Sequence, residues 1–277
     1  MKSYLLMKSP SVQRAFAVAN LLAYVVMITT NCLSIFLPLN GKTQAELSGQ
    51  YPNLFTPAGY VFSIWSVIYM LLFGFIIYQF YVLLVAYHRD KMRILYISPL
   101  FIAVCLCNAG WLFAWHYEFI TISVLIMIIH LWLLVLIHDR LSLSISWWPL
   151  ATKLWIDIPF SIYLGWICVA IIANVTAWLV SKNIHLSFLL PQLWTIIMII
   201  VALLVGMFYV FTRNNKFAAL PIAWAFYGII SKRSETEGKG SHTLELATGL
   251  ALGILLLIIL LNTFRRRDPD YKPNMSA

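Results

Sequence analysis

Residues 55–69, FTPAGYVFSIWSVIY, begin an apolar run that continues to about residue 87. A helix needs roughly 20 apolar residues to cross about 30 Å of hydrocarbon, so this run is long enough to span a membrane. Leucine alone would be sufficient for that purpose, yet the stretch contains a proline, a glycine, a tryptophan, two tyrosines and two serines. The aromatic and small side chains therefore predict a helix with contacts other than lipid.

The composition of the whole chain agrees with membrane insertion. Apolar residues make up 62% of the 277 residues and charged residues 10%, and the mean hydropathy is +0.86. A soluble domain of this length needs more charge to cover its surface, so the sequence predicts an all-α integral membrane protein. The formal charge of +9 then reflects basic cytoplasmic loops, and no nucleic-acid partner is expected.

Eight segments are long and apolar enough to be counted as spans. The seventh is the weakest, because it is short and contains Pro221, and it is also compatible with a tilted or re-entrant segment. The predicted spans are 13–37, 57–87, 94–115, 119–138, 153–181, 189–212, 217–231 and 244–264.

The distribution of lysine and arginine predicts the orientation, because basic residues are retained in cytoplasmic loops. With the N-terminus inside, 14 of the 19 basic residues fall on the cytoplasmic side, including the cluster at 265–267. We therefore expect a cell-membrane protein with both termini in the cytoplasm. The basic residues left outside are Lys42, Lys182, Lys232, Arg233 and Lys239.

The second span follows the longest outer loop, residues 38–56, which is rich in turn-forming residues. Thr56 followed by Pro57 is the pattern of an N-cap with proline at the first helical position. The sequence therefore predicts that the helix starts at these two residues.

The second span has two distinct faces on a helical projection. Small residues at helical spacing let a neighbouring helix approach closely in lipid, and here they are Gly59, Ser63, Ser66 and Gly74. A second face is aromatic and is compatible either with packing against core or lipid or with the wall of a pocket. That face carries Phe62, Trp65, Tyr69, Phe73 and Phe80.

Three other spans carry polar and aromatic stripes. An asparagine deep in hydrocarbon needs a partner, so the stripes are expected to face the bundle interior. They indicate either amide hydrogen bonds that hold the bundle together or a pocket with aromatic walls and a few polar anchors. The stripes are Asn20, Tyr24, Met27 and Asn31 in span one, Asn108, Trp111 and Trp115 in span three, and Tyr163, Trp166, Ala170, Asn174 and Trp178 in span five.

Metal and catalytic signals are weak. His130 and His138 lie in one span without a carboxylate or third ligand nearby, so hydrogen bonding within the bundle is favoured over metal or haem ligation. The four cysteines fall inside apolar runs and are interpreted as small core residues. No nucleophile–base pair or paired catalytic carboxylates are present, so no catalytic residue, no metal and no required cofactor is predicted.

These stretches resemble the TspO/translocator protein family, also called tryptophan-rich sensory proteins. The second span of that family opens with a proline-rich aromatic motif and Trp-x-x-x-Tyr, and its third and fifth spans carry Asn-x-x-Trp and Tyr-Leu-Ala-Trp-x-x-x-Ala-x-x-x-Asn. Three motifs in order make the match specific over residues 13–182. The matching residues are Pro57-Ala58-Gly59-Tyr60-Val61-Phe62 with Trp65 and Tyr69, then Asn108 and Trp111, then Tyr163-Leu164-Gly165-Trp166 with Ala170 and Asn174.

The resemblance implies a five-helix core in residues 1–186, with the loop 38–56 above a cavity. Residues 187–277 would add three spans and a basic cytoplasmic tail, as in a long form of the family. The family is credited with binding porphyrins, haem and other flat hydrophobic ligands, and the resemblance implies such a cavity here. Carried over position by position, the resemblance implies that Trp65, Asn108, Trp111, Trp166 and Ala170 line the cavity. Together with the stripes, the predicted ligand-binding residues are Phe62, Trp65, Tyr69, Asn108, Trp111, Tyr163, Trp166, Ala170 and Asn174.

The chain departs from the family pattern at several positions. Ala58 replaces the second residue of a tandem proline, Phe55 replaces a loop tryptophan, and Pro159 lies about one turn before the place of the family's proline. The sterol-associated segment expects a tyrosine where this chain has Trp178 before Lys182, so sterol binding is not expected.

The function expected from the sequence is that of a TspO-like receptor or carrier for tetrapyrrole-type ligands, active in stress sensing. Its expected partners are a hydrophobic small molecule, the lipid bilayer and a second copy in a homodimer. Two alternatives stay open, a secondary transporter of a small solute and a protein that degrades porphyrin in the light. The first alternative predicts inverted repeats or a membrane acid relay, and neither is visible.

Overall fold

The computed structural model describes residues 9–37, 39–84, 90–141, 150–183, 191–235 and 239–264. These residues form helices joined by turns, without a strand among them. In this part of the chain, seven helices are long and apolar enough to cross a membrane. The predicted seventh span is an additional, continuous helix of 19 residues, about 28 Å long. The all-α membrane architecture with about eight spans is confirmed.

The long helices follow the predicted spans closely. A tight helical turn, Gly59–Ser63, leads into the second span, and the turns Leu150–Thr152 and Lys153–Asp157 lead into the fifth. The helices are α1 (Pro10–Phe36), α2 (Gln44–Gly49), α3 (Ile64–Leu84), α4 (Lys91–His116), α5 (Ile120–Leu141), α6 (Ile158–Ser181), α7 (Pro191–Phe211), α8 (Lys216–Ser234) and α9 (Lys239–Phe264).

Five helices close into a ring. Helix α1 packs on α3 and α4, α4 packs on α5, α5 packs on α6, and α6 packs back on α3. The polar stripe predicted for α1 faces the inside of this ring, since Asn20, Tyr24, Met27 and Asn31 are all buried. Asn20 donates to Gln79 Oε1 at 2.8 Å and to Ser98 Oγ at 2.9 Å, so its amide N–H groups are satisfied by neighbouring helices.

The C-terminal helices continue the same apolar core. Helix α8 packs on α6 of the ring, and α7 and α9 pack on α8. One cluster of buried side chains extends from the ring through α7 and α8 to Leu255 of α9. The outward side chains of α9 are apolar and exposed, as lipid contact requires, including Leu250, Leu257 and Leu261.

The predicted helix start at Thr56 and Pro57 is wrong. Asn53 Oδ1 accepts hydrogen bonds from the backbone N–H groups of Phe55 and Thr56 and from the Thr56 hydroxyl, at 2.8–3.1 Å. This Asn53 turn occupies the groups that would have capped a helix. Helical geometry begins only at Gly59, and Ala58 is at the N-cap without a side-chain cap.

The small-residue stripe of the second span is only partly used for close packing. Ser63 and Ser66 are exposed, so no neighbouring helix covers them. A Cβ on Gly74 would overlap the ring of Trp155, so this ring packs where a side chain at Gly74 would lie. A close approach between helix backbones lies elsewhere, where a Cβ on Gly165 of α6 would overlap the carbonyl oxygen of Ala218 on α8.

Candidate functional site: an aromatic cavity under a helical lid

A cavity lies between α3, α4 and α6, beneath the loop that contains α2. Its volume is about 40 Å³, which is room for a few water molecules at most. Six of the nine residues predicted to bind a ligand line it, namely Phe62, Trp65, Trp111, Trp166, Ala170 and Asn174. The sequence prediction did not include the other lining residues, which are Gln44, Ser48, Pro57, Trp115, Val169 and Ala173.

Four tryptophans from three helices line the cavity. The ring centroids of Trp65 and Trp111 are 6.0 Å apart, and those of Trp111 and Trp115 are 6.1 Å apart with an interplanar angle of 17°. The Trp166 ring stands nearly perpendicular to Trp65, at 6.0 Å and 86°. These distances are typical of favourable aromatic pairs. The wall therefore combines a row of three indoles with a fourth that meets the row edge to face.

Tyr69, Asn108 and Tyr163 are not among the lining residues. Asn108 Nδ2 donates to the Tyr163 hydroxyl at 2.9 Å, and Asn108 Oδ1 accepts from Asn31 Nδ2 at 2.8 Å. The Tyr69 hydroxyl donates to Asn31 Oδ1 at 2.7 Å. These residues form a buried polar cluster that joins α1, α3, α4 and α6.

The polar cluster supports the cavity wall through Trp65. The ring of Tyr69 stacks on Trp65 at 5.6 Å, and the ring of Tyr163 meets Trp65 edge to face at 6.0 Å. The cluster is thus in contact with the back of a lining residue and fixes the position of its indole. Both interpretations of the polar stripes hold in part, because the amides join the helices and the aromatic residues enclose a cavity.

Asn174 orients a tryptophan of the wall. Its Oδ1 accepts a hydrogen bond from Trp111 Nε1 at 3.0 Å, and its Nδ2 donates to Ser123 Oγ at 2.9 Å. Ala170 and Ala173 on the same helix also line the cavity, and their small side chains leave its free space open. The amide of Asn174 therefore already has partners within the protein.

Two indole N–H groups in the wall have no acceptor. The Nε1 atoms of Trp65 and Trp166 are buried and have no hydrogen-bond partner among the described residues. A buried donor without an acceptor costs roughly 1–3 kcal/mol, so such groups are rare and mark sites of interest.

A short helix in the outer loop covers the cavity. Gln44 and Ser48 of α2 belong to the lining, and Leu47 between them is fully buried. The start of α2 is a capping box, in which Glu46 N donates to Thr43 Oγ1 at 3.3 Å and Thr43 N donates to Glu46 Oε2 at 2.7 Å. The sequence signal Thr43-x-x-Glu46 could have predicted this helix within the loop 38–56.

The lid, defined as residues 39–50, is fastened to the end of α4. Asn40 adopts a left-handed backbone (φ 56°), which asparagine tolerates, and its Nδ2 donates to the carbonyl oxygen of His116 at 3.0 Å. Lys42 Nζ lies 2.7 Å from Glu118 Oε1, and both side chains are partly exposed. Exposed ion pairs contribute about 0–1 kcal/mol, so these contacts close the lid without locking it.

Helix α8 contacts the cavity wall from behind. The Ala58 N–H donates to the Gly228 carbonyl at 3.0 Å, and Trp224 Nε1 donates to the Val61 carbonyl at 3.1 Å. No site residue was predicted on this helix. Gly228, near the end of the weakest predicted span, is the sequence signal that close packing occurs there.

The two histidines of α5 have different surroundings. His138 Nε2 is 3.1 Å from Asn215 Nδ2, which agrees with hydrogen bonding within the bundle. His130 is buried against the Tyr163 ring at 5.1 Å, and its ring nitrogens have no hydrogen-bond partner in the described part of the chain. Within that part, no three His, Cys, Asp or Glu side chains are close enough to hold a metal ion.

A closed five-helix ring with a tryptophan-lined cavity under an outer lid defines a class of helical membrane protein with a buried aromatic site. A sequence model described as TSPO-like protein matches residues 17–261, and the chain belongs to this family. The match covers the cavity and extends into α9, beyond the motifs recognisable by eye. The division at residue 186 into a core and an added segment stays a prediction. Comparisons with curated proteins and with solved structures found no match.

Proposed function

We propose that this TSPO-type membrane protein is a receptor or carrier that binds flat hydrophobic ligands of the tetrapyrrole type in the aromatic cavity, as part of stress sensing. The observation that carries this proposal is the convergence of four tryptophans from three helices on one cavity. Flat apolar molecules gain affinity by stacking on indole faces, and an aromatic pair contributes about 0.5–1.5 kcal/mol beyond its buried area.

The cavity must open to accept such a ligand. Sites for drug-sized molecules usually enclose about 300–1,000 Å³, whereas the closed cavity encloses about 40 Å³. The lid and the indole rings are the parts proposed to move. The polar contacts that fasten the lid to the end of α4 are partly exposed, and opening must also withdraw the buried side chain of Leu47 from the core. Binding is therefore proposed to displace the lid and to insert the ligand between the tryptophan rings.

Polar recognition is assigned to the two unpaired indoles. The Trp111 N–H donates a hydrogen bond to Asn174 Oδ1, so it is not available to a ligand. Trp65 and Trp166 keep theirs, and a ligand with two acceptor atoms along one edge would pair with both. Asn108, which the resemblance placed in the site, acts in this proposal through the polar cluster behind Trp65.

Protoporphyrin IX in detergent solution tests the proposal. Its binding is expected to quench tryptophan fluorescence saturably, and Trp65→Ala is expected to raise Kd about tenfold, which corresponds to about 1.4 kcal/mol. Trp132→Ala is the matched control, because Trp132 is 59% exposed on the outer face of α5. Wild-type protein without saturable quenching, or an unchanged Kd in Trp65→Ala, would contradict the proposal.

The proposed function is binding without turnover. The rival activity, light-dependent porphyrin breakdown, needs the same tryptophans and is distinguished by illuminating the complex. The porphyrin absorption band should persist and no bilin product should form. Product that accumulates in wild-type protein and disappears in Trp65→Phe would replace the binding proposal with an enzymatic one.

We also propose that the protein resides in the cell membrane with both termini in the cytoplasm. The ion pairs agree with the alternation of sides, because each joins residues assigned to the same side, and the choice of inner and outer side rests on the basic residues. Arg213 pairs with Asp139 at 3.0 Å on the side proposed as inner, and Lys42 pairs with Glu118 on the side proposed as outer.

A further inference from the structure

We propose that α8 is a positioning helix for the cavity, so that ligand affinity depends on its contact with the residues behind the wall. This inference rests on the proposed function and deepens it. It assigns a role to a helix outside the five-helix ring, none of whose residues lines the cavity.

The first contact lies behind the Pro57–Phe62 segment, whose two end residues line the cavity. The Ala58 N–H and the Val61 carbonyl are the two backbone groups of this segment that hydrogen-bond to α8, at 3.0 and 3.1 Å. Because Ala58 precedes the first helical turn, its N–H has no intrahelical partner, and α8 supplies one. The segment is thus held between the cavity on one side and α8 on the other.

Side-chain packing reinforces this contact. The Tyr60 ring meets the Trp224 ring edge to face at 5.6 Å. Gly228 has no side chain, and a Cβ there would overlap the Val61 side chain and lie 3.1 Å from Pro57 Cβ. The fit between α8 and the segment leaves no room for an added methyl group, so a change at Gly228 must move the segment.

The second contact lies behind Trp166. A Cβ on Gly165, the preceding residue, would overlap the Ala218 carbonyl oxygen, so the α6 and α8 backbones touch there. The start of α8 is fixed to α6 by Asn215, whose Nδ2 donates to Ser161 Oγ at 2.8 Å. Helix α8 is therefore attached to the cavity wall at two places, near its start and at Trp224 and Gly228, and in this proposal it sets the distance between the Phe62 and Trp166 sides.

The small size of the cavity makes this distance important. Because the closed cavity has only about 40 Å³ of free space, a wall shift of a few tenths of an ångström changes the gaps between the lining rings into which a ligand is inserted. The Phe62 and Trp166 rings are in edge-to-face contact at 6.2 Å and 88°, so the two sides fixed by α8 meet directly. A residue of α8 can thus alter binding without touching the ligand.

Matched glycine substitutions on α8 and α9 test the inference. Gly228→Val introduces a side chain into the contact with Val61 and Pro57, whereas Gly249→Val on α9 introduces the same side chain where nothing lies within 4 Å of the Cβ. Gly228→Val is expected to raise the Kd for protoporphyrin IX at least about fivefold, and Gly249→Val to leave it unchanged.

Two further variants cover the case in which Gly228→Val fails to fold. Ala58→Pro is compatible with the backbone conformation, since φ of Ala58 is −60°. It removes the N–H that donates a hydrogen bond to the Gly228 carbonyl oxygen. Trp224→Phe removes the hydrogen bond to Val61 and retains an aromatic ring. Each is expected to raise the Kd at least about threefold.

A second readout does not depend on the ligand. In protein labelled with 5-fluorotryptophan, the ¹⁹F resonances of Trp65 and Trp166, assigned with single Trp→Phe variants, are expected to shift in the α8-contact variants and to stay in place in Gly249→Val. A merely structural role would lower the thermal midpoint but leave the resonances and Kd at wild-type values well below that midpoint.

The outcomes separate this inference from the proposed function. Weaker binding with shifted Trp65 and Trp166 resonances supports it, and unchanged Kd and resonances in folded Gly228→Val, Ala58→Pro and Trp224→Phe overturn it. If wild-type protein binds no protoporphyrin IX, the proposed function fails and the resonances alone decide whether α8 positions the wall. Unmoved resonances would then overturn the inference as well.

Discussion

Two single-residue departures from the family motif have a physical reason in the structure. Ala58 takes the place of a second proline, and its N–H donates to Gly228, which a proline could not do. Gly165 takes the place of alanine, whose methyl group would overlap the Ala218 carbonyl oxygen. Both departures therefore occur where the five-helix ring contacts α8, and both favour that contact.

Gly165→Ala is expected to destabilise the protein although alanine is the better helix former. The methyl group must push α8 away from α6, and overpacking of this kind costs about 1–3 kcal/mol, which exceeds the gain of roughly 1 kcal/mol in helix propensity. The midpoint of thermal unfolding in detergent should fall. Gly249→Ala, with open space around the Cβ, should leave it unchanged or raise it. Equal midpoints in the two variants would contradict the prediction.

Asn108 is expected to contribute more to stability than the hydroxyl group of its partner Tyr163. Asn108→Ala removes the acceptor of Asn31 and the donor to Tyr163 together, which should cost about 1–3 kcal/mol. Tyr163→Phe removes only one of these bonds and should cost less. Because the residues share one network, the double variant should be less destabilised than the sum of the two single variants. Additive losses in reversible unfolding would show that the cluster does not act as a unit.

The lid is the element whose motion the proposed function needs. Its attachment to α4 depends on Asn40 and on the Lys42–Glu118 pair. Lys42→Ala is expected to speed the association of protoporphyrin IX about two- to fivefold in stopped-flow measurements, because an exposed ion pair contributes at most about 1 kcal/mol to the closed lid. Lys42→Arg, which keeps the charge, is the control and should leave the rate unchanged. A rate that stays the same in Lys42→Ala would show that the lid does not limit entry.

The lid is also expected to loosen in acid. Hydrogen bonds from Thr43 hold the pKa of Glu46 below its usual 4.5, so the ionised carboxylate stabilises the start of α2. A depressed pKa gives a contribution that is fully present above pH 4.5 and is lost as the pH falls through the lower pKa of the folded protein. The association rate should therefore rise below about pH 4.5. Glu46→Gln should show a smaller rise in acid than the wild type, and an identical profile in both proteins would contradict the assignment.

The helices could be predicted from the sequence better than their ends. Length and apolar composition suffice for α1, α4 and α5, because lipid imposes both. The start of the second span could not be predicted, since Asn53 and Gly228 take the backbone groups that a cap would have used. The close helix packing predicted from the small-residue stripe was found only in part for a similar reason. Spacing alone does not show whether a neighbouring helix lies against that face.

At the scale of the whole molecule, α8 explains why the weakest predicted span is a full helix. Membrane spans that face lipid must be strongly apolar, whereas a helix surrounded by protein needs only a fitted surface. Helix α8 packs on α6, α7 and α9, and its buried residues, such as Pro221, Ile222 and Ala223, are spread over about half of its circumference. Its lower apolarity therefore reflects protein contact rather than partial insertion.

The cavity could be predicted in part, and the limit is again set by contacts between distant segments. Indole residues at helical spacing placed Trp65, Trp111 and Trp166 on one site, and the structure brings them together. Helical spacing could not show that Asn108 and Tyr163 lie behind the wall. They occupy the same helix faces as the lining residues Trp111 and Trp166, so spacing predicts the same position for all four. Nor could it show that α8 reaches the wall, since Gly228 and Pro57 are far apart in the chain.

The proposed topology of the whole chain makes a last prediction. Lys42 in the lid and Lys216 at the start of α8 are assigned to opposite sides, outer and inner, and both are partly exposed. In intact cells a membrane-impermeant maleimide should label Lys42→Cys and should label Lys216→Cys only after the cells are permeabilised. The parent protein, whose four free cysteines lie in the helices, gives the background level. Labelling of Lys216→Cys but not of Lys42→Cys in intact cells would reverse the proposed orientation. Labelling of both variants in intact cells would contradict the number of spans between the two positions.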